Sequence, residues 1–176
     1  MGFERVEFLT RLEDSYSAYY NIVPPAEGID VPLAFAAEYY QRGEKYWLSK
    51  NIHVWANEQN EFCYVFSAEF FDRASVIKCI EYALNEGLPR VKPHKEHQYT
   101  NIKTVFIASS YDEDAVQEVK NRSFTKSYNH SLWGYTNLLA CTVNLSDERV
   151  VTNKAGYELK KYFRKLFKAL SAKAKS

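Results

Sequence analysis

A change of hydrophobic period constrains this chain more than any other feature. Val6, Leu9, Leu12, Tyr16 and Tyr19 recur at the three- and four-residue steps of an amphipathic helix, which places a helix in residues 1–20. From Leu33 to Glu69 the pattern becomes that of strands, with aromatic and β-branched residues in short runs. Between them, residues 21–32 (NIVPPAEGIDVP) hold three of the five prolines and a glycine, so a loop is expected. Helices must therefore cover a sheet, and the order of elements decides how.

Within 33–69, polar breaks at Arg42-Gly43-Glu44, Lys50-Asn51 and Glu58-Gln59-Asn60-Glu61 predict four strands, 33–41, 45–49, 52–57 and 61–69, in an antiparallel meander. Asp72 as N-cap, the stripe Val76, Ile77, Ile80 and Leu84, and Gly87 as a stop predict a helix over 72–87. A proline-broken basic connector follows at 88–100. Residues 101–153 then read as a buried strand at 102–108, an acidic helix start at Asp112, long strands over 123–133 and 135–144 turning at Gly134, and a short strand at 149–152. A final helix spans 156–170. The expectation is an α+β fold in one domain over 1–176. Its mostly antiparallel sheet of six to eight strands is packed by an N-terminal helix, one or two middle helices and a basic amphipathic C-terminal helix.

With 28 aromatic residues and one Met in 176 positions, aromatic rings must fill much of the core. Cys63, Cys79 and Cys141 are odd in number and form no C-x-x-C, which argues against a disulfide framework and for a reducing, cytoplasmic location. No signal-peptide core is visible at the N-terminus. The longest uncharged run, Ser127–Ser146, contains Asn129, His130, Asn137 and Asn144, so it reads as sheet and not as a transmembrane segment.

Charge is laid out unevenly. Residues 1–88 carry 7 Lys+Arg against 14 Asp+Glu, and residues 89–176 carry 16 against 8, so halves of −7 and +8 hide inside a total of +1. Residues 154–176 alone hold 8 cations against Glu158, or +7, above a body of −6. Two segments are candidate anion-binding sites. The connector offers Arg90, Lys92, His94, Lys95 and His97, stiffened by Pro89 and Pro93. The C-terminal helix offers Lys154, Lys160, Lys161, Arg164, Lys165 and Lys168, opposite an apolar stripe of Leu159, Tyr162, Phe163, Leu166, Phe167 and Leu170. Solvated cations, a membrane surface and neutralisation by the acidic body, within one chain or across a dimer, are the competing uses. His94 and His97 supply two metal ligands where a closed zinc site takes four, so no metal is expected, nor any cofactor.

The six isolated glycines write neither a dinucleotide nor a phosphate loop, and no G-x-S-x-G occurs. The stretches RGEKYWLSK (42–50), LPRVKPHKEH (88–97) and VTNKAGYELK (151–160) resemble a family of small bacterial proteins with no assigned function. That resemblance implies no activity. The element order also loosely resembles restriction-endonuclease-like domains, whose metal site takes an acid followed by Asp/Glu-x-Lys on a strand. Here Glu118-Val-Lys120 and Glu158-Leu-Lys160 have that spacing, but both fall on predicted helices, so their catalytic motif is expected to be absent. The sequence therefore reads as a non-enzymatic binding module for an anionic partner, nucleic acid first. A protein-interaction or adaptor domain, as a homodimer or with another protein through exposed Tyr and Trp, is the alternative, and an enzyme with a dispersed site is third.

Overall fold

The computed structural model describes residues 3–46 and 53–173, and for residues 44–46, 53–56 and 173 the backbone alone. Helix α1 (Arg5–Ser17) leads to strand β1 (Asn21–Val23) and then to two long antiparallel strands, β2 (Leu33–Tyr46) and β3 (His53–Ser67). The two-residue strand β4 (Phe70–Phe71) precedes α2 (Arg73–Gly87), which runs on into a 3₁₀ turn at Leu88–Arg90. Strands β5 (His97–Ala108) and β6 (Ser110–Tyr111), helix α3 (Glu113–Asn121), strands β7 (Thr125–Ser127), β8 (Tyr135–Asn144) and β9 (Val150–Thr152), and helix α4 (Tyr157–Lys173) complete the chain.

The main sheet has seven strands in the order β1-β2-β3-β5-β8-β7, with β9 also on β8. It is mixed rather than mostly antiparallel, because β3, β5 and β8 lie parallel. The reason lies in the connections. Helices α2 and α3 fill the links β3 to β5 and β5 to β8, and a helical crossover returns the chain to the same end of the sheet. The α+β class stands, with four helices. They divide evenly between the two faces. Helices α2 and α3 pack on Phe62, Tyr64, Phe66, Ile102, Phe106, Leu138 and Ala140, while α1 and α4 pack on Phe35, Ala37, Cys63, Val65, Val105, Ile107, Cys141 and Val143. Strands covered on both faces read as continuous apolar runs, as YVF, TVFIA and LLACTV do.

Other expectations change for local reasons. The four short strands are two long ones. Gly43 lies inside the β2 ladder opposite Asn57, and Glu58–Glu61 continue β3 without a break. The reversal between β2 and β3, with most of the expected strand 45–49, lies outside the described residues. Residues 21–23 of the expected loop pair with β2. Only Thr125–Ser127 of the expected strand 123–133 pairs with β8, because Asn129, His130 and Ser131 form a left-handed turn with φ of 47°, 52° and 67°. Gly134 closes that turn at φ 75°, where a Cβ would stand 2.4 Å from the Gln98 carbonyl.

Asp72 caps α2 as expected, its carboxylate accepting from Ser75 N at 2.7 Å. Gly87 does not stop the helix. It has right-handed helical angles, and its requirement is space, since a Cβ there would meet Ile102 Cδ1 at 2.8 Å.

Candidate functional site

On the face covered by α1 and α4, sheet residues change character halfway along the parallel strands. Val65, Val105 and Cys141 are apolar and buried, but the strand starts put polar side chains on that same face. Register aligns Glu61, Asn101 and Asn137 in one row across β3, β5 and β8, and Gln59, Tyr99 and Tyr135 in the next. Lys103 stands one position further along β5, between Cys63 and Leu139. The C-terminal end of α1 and the turn after it bring Ser15, Tyr16, Tyr19 and Tyr20 over this floor, and the N-terminal end of α4 brings Glu158, Leu159 and Tyr162. The result is an open cleft of about 650 Å³ that six tyrosines line.

The helix that forms one wall is seated by Asn153, which is 3% exposed. Its Oδ1 accepts from Ala140 N at 3.1 Å and Gly156 N at 2.9 Å, and its Nδ2 donates to the carbonyls of Leu138 at 2.9 Å and Arg122 at 3.1 Å. One side chain thus ties β8 and the end of α3 to the turn that launches α4. The tyrosines make two groups of ring contacts. Tyr16 lies 5.0 Å from Tyr20 and 6.1 Å edge-on from Tyr162, and Tyr99 stacks on Tyr135 at 6.0 Å.

Charge within the cleft is balanced. Lys103 Nζ donates to Glu61 Oε2 and, at 3.2 Å, to the Tyr20 hydroxyl, which itself donates to Glu61. With side chains 12% and 18% exposed, Lys103 and Glu61 are largely removed from water and depend on each other. Burial and then the Glu61 carboxylate push the Tyr20 phenol far above its ordinary value, so it stays a donor. Burial likewise raises Tyr162 and Tyr99 and pushes Cys63, under the floor, up to about 11. Several polar groups remain open. Glu61 Oε1 accepts no hydrogen bond from a described residue. Asn137 uses only its Oδ1, accepting from Thr125 at 2.8 Å, and the Asn101 amide has no side-chain partner among the described residues.

The model of a domain of unknown function, DUF8052, matches residues 4–165, which includes every element that lines the cleft. The chain belongs to the DUF8052 family. None of the curated proteins and none of the solved structures compared with it match. The family match agrees with the resemblance read from the three short stretches, which all lie inside it.

Within this DUF8052 domain the expected anion-binding residues do not share one surface. The connector docks on the α2/α3 side. Arg90 places its guanidinium 4.3 Å from the centre of the Phe62 ring and donates to Glu38 and, at 3.1 Å, to Tyr40. His94 Nδ1 accepts from Glu96 N at 3.3 Å, so its Nε2 is the donor that meets Glu58 at 3.1 Å. His97 is 3% exposed and satisfied at both nitrogens, donating to the Trp133 carbonyl at 2.8 Å and accepting from Thr100 at 2.9 Å. It anchors the left-handed turn from inside the core. Lys92 and Lys95 are exposed.

Helix α4 lies on the opposite side of the sheet, with Lys154 before it. Lys161, Arg164, Lys165 and Lys168 are exposed and Lys160 is half-exposed. Lys161 pairs with Glu158 at 2.8 Å and sits 4.7 Å from the Tyr157 ring centre. Among the described residues no ion pair joins α4 to the acidic body. Of the aromatic anchors expected for a protein partner, Trp133 is 37% exposed beside Leu132 at 72%, and the side chains of Trp47 and Trp55 lie outside the described residues. No group of three or more His, Cys, Asp or Glu able to hold a metal occurs among the described residues, and no described helix is long and apolar enough to cross a membrane. Both Glu-x-Lys spacings fall on helices, α3 and α4.

Sequence reasoning passed over Glu61, Asn101, Lys103, Asn137 and Asn153. A signal for the first four was present. Each is a polar step on the inward face of a strand whose later residues on that face, Val65, Val105, Ile107, Cys141 and Val143 among them, are apolar.

Proposed function

We propose that this domain is a binding module whose ligand occupies the tyrosine-lined cleft, and that the ligand is a small uncharged molecule with a flat ring face and several hydroxyl or amide groups. The observation that carries this is the Asn101 amide, without a side-chain partner among the described residues, at the centre of a polar row on strands whose inward positions further along, Val65, Val105 and Cys141, are apolar. A volume of about 650 Å³ suits a mono- or disaccharide or a nucleoside. The neutralised Glu61–Lys103 pair disfavours a charged ligand, which would have to break that pair. Open donors on Asn137 and Asn101 and an open acceptor on Glu61 match groups of both kinds on one ligand, while tyrosine rings cover its apolar faces.

A calorimetric and thermal-shift screen of neutral saccharides and nucleosides against the whole protein tests this reading. The expected result is a compound that raises Tm in the wild type and binds at least tenfold more weakly to Asn101→Ala, the loss of one or two buried hydrogen bonds. A screen whose only binders are anions, or whose binders ignore Asn101→Ala, overturns it.

A further inference from the structure

The exposed face of α4 has a composition that the cleft does not explain. At the 100° step of a helix, Lys160, Arg164, Lys168, Lys161 and Lys165 occupy an arc of roughly 140°. Within it, Lys160–Arg164, Arg164–Lys168 and Lys161–Lys165 are like-charged i,i+4 pairs, each of them unfavourable. Lys160, Lys161 and Lys154 also lie near the positive end of the helix, where cations are disfavoured. Glu158 is the only acid that the described residues bring to this row, and it engages Lys161 alone. Elsewhere Arg5, Arg11, Lys78, Arg90, Lys103 and Arg122 each meet a carboxylate, while Lys92, Lys95, Lys120, Lys126 and Arg149 meet none among the described residues but do not form a row. Among the described residues the densest run of unmatched cations on one element is on α4.

We infer that this face binds the phosphate backbone of a nucleic-acid strand, without sequence preference. Three features select that partner. A lipid surface would need an apolar helix face to insert, and Leu159, Phe163, Phe167 and Leu170 are buried in the core against α1 and the sheet. A protein partner would need a central aromatic or aliphatic anchor, yet the exposed arc is lysine-rich, the composition depleted in protein interfaces, and its one aromatic residue among the described residues, Tyr157 at the N-terminal end of the helix, already carries Lys161. A row of flexible cations about 12 Å long, from residue 160 to 168, spans three or four phosphates of one strand. The connector takes no part, because it sits on the other side of the sheet.

The test uses the whole protein and a fluorescein-labelled 20-nucleotide single strand of mixed sequence, read by anisotropy. Neutralising three or four phosphates gives a log–log salt slope of about −2 to −3, so affinity should fall roughly 20- to 50-fold between 50 and 200 mM salt. The triple variant Arg164→Gln/Lys165→Gln/Lys168→Gln should lose at least tenfold in affinity at 50 mM salt and flatten the slope. Lys92→Gln/Lys95→Gln should stay within twofold of wild type. A wild-type slope shallower than about −1, no binding at 50 mM salt, loss of binding in the connector variant, or tighter binding to vesicles with 30% phosphatidylserine than to the strand each overturns the proposal. The wild-type slope and vesicle arms hold even if the triple variant does not fold. None of them depends on a ligand in the cleft.

Discussion

The two faces of the sheet are built from the same three strands but finished differently. Under α2 and α3, one shared row is polar but buried, Asn60, Thr100 and Thr136, and each of the rows beyond it carries a large ring, from Phe62 and Tyr64 to Phe66 and Phe106, which stack at 5.5 Å. Under α1 and α4, the rows are apolar at one end and polar at the other, and the cleft opens over the polar rows. A face made only for stability would not place an ion pair, two asparagine amides and a ring of tyrosine hydroxyls where aliphatic residues fit. One face is closed, and the other gives up part of its burial to the cleft proposed above as a site.

Removing a ring from the closed face should have the largest effect. Phe106 is fully buried and touches Phe66 and Phe71, at 5.5 and 5.3 Å between ring centres. Phe106→Ala should cost about 4 kcal/mol, read as a lower urea midpoint. A loss under 1 kcal/mol would mean that the closed face is not the anchor. Asn153→Ala attacks the seat of the open face and leaves two N–H groups and two carbonyls without their side-chain partner. A cost of about 3 kcal/mol is expected, with α4 fraying first in hydrogen exchange. Uniform loss of protection along the chain would break the idea that Asn153 serves α4.

The ion pair in the cleft is a smaller contributor, because it is not fully dry. Glu61→Gln should destabilise by about 2 kcal/mol, since Lys103 keeps its charge and loses its counter-ion. The double variant Glu61→Leu/Lys103→Met should recover most of that loss. If both variants are equally unstable, the pair is not the coupled unit described here.

Alkaline pH reaches both faces through buried phenols. Burial raises Tyr16, on the cleft face, and Tyr111, beside the closed face, well above the ordinary value of 10.0. A phenol whose folded pKa is raised holds its proton more tightly in the native state. Its stabilisation is therefore fully present below pH 10 and is lost as pH rises beyond it, at up to about 1.4 kcal/mol per group per pH unit. Stability measured by urea titration should be flat from pH 7 to 9 and fall above 10. A rise above pH 10 would contradict the burial of both rings. At the acid end Glu58 works the other way. Its pKa is lowered, first by the hydrogen bond from Asn60 and then by His94, so its contribution is present above the ordinary value of 4.5 and fades as pH falls below it.

How much of this was legible in the sequence differs between the faces too. Helix α2 was readable to its cap, because Asp72 and an apolar stripe leave few alternatives. The sheet class was readable, but its mixed pairing was missed. Strand period carries no information on direction, and only the helix-length links before β5 and β8 imply parallel neighbours. Charge drew attention to His94 and His97, yet a histidine in a basic stretch looks the same whether it faces solvent or, like His97, lies buried between a carbonyl and a threonine hydroxyl. The cleft was missed because its walls come from segments as far apart as Ser15 and Tyr162, 147 positions, and a polar step in one strand does not say which other residues share its face. Tyr16 and Tyr19 read only as a helix stripe, and Asn101 and Lys103 only as polar steps in a strand.

The smallest predicted effect on stability is the most discriminating for the comparison. Asn101 lies mid-strand, with neighbours on both sides in the ladder, so a structural role would make its replacement costly. Its amide, however, makes no side-chain hydrogen bond within the described residues. Asn101→Ala should therefore change the unfolding free energy by no more than about 0.5 kcal/mol, as for a position away from any buried partner. The same change at Thr100, buried on the other face and bonded to His97 Nε2 at 2.9 Å, should cost about 1–2 kcal/mol. Adjacent residues on one strand would then respond in opposite ways, one kept for the fold and one spared from it. Equal losses at the two positions would remove the distinction between a closed face and a face reserved for a ligand.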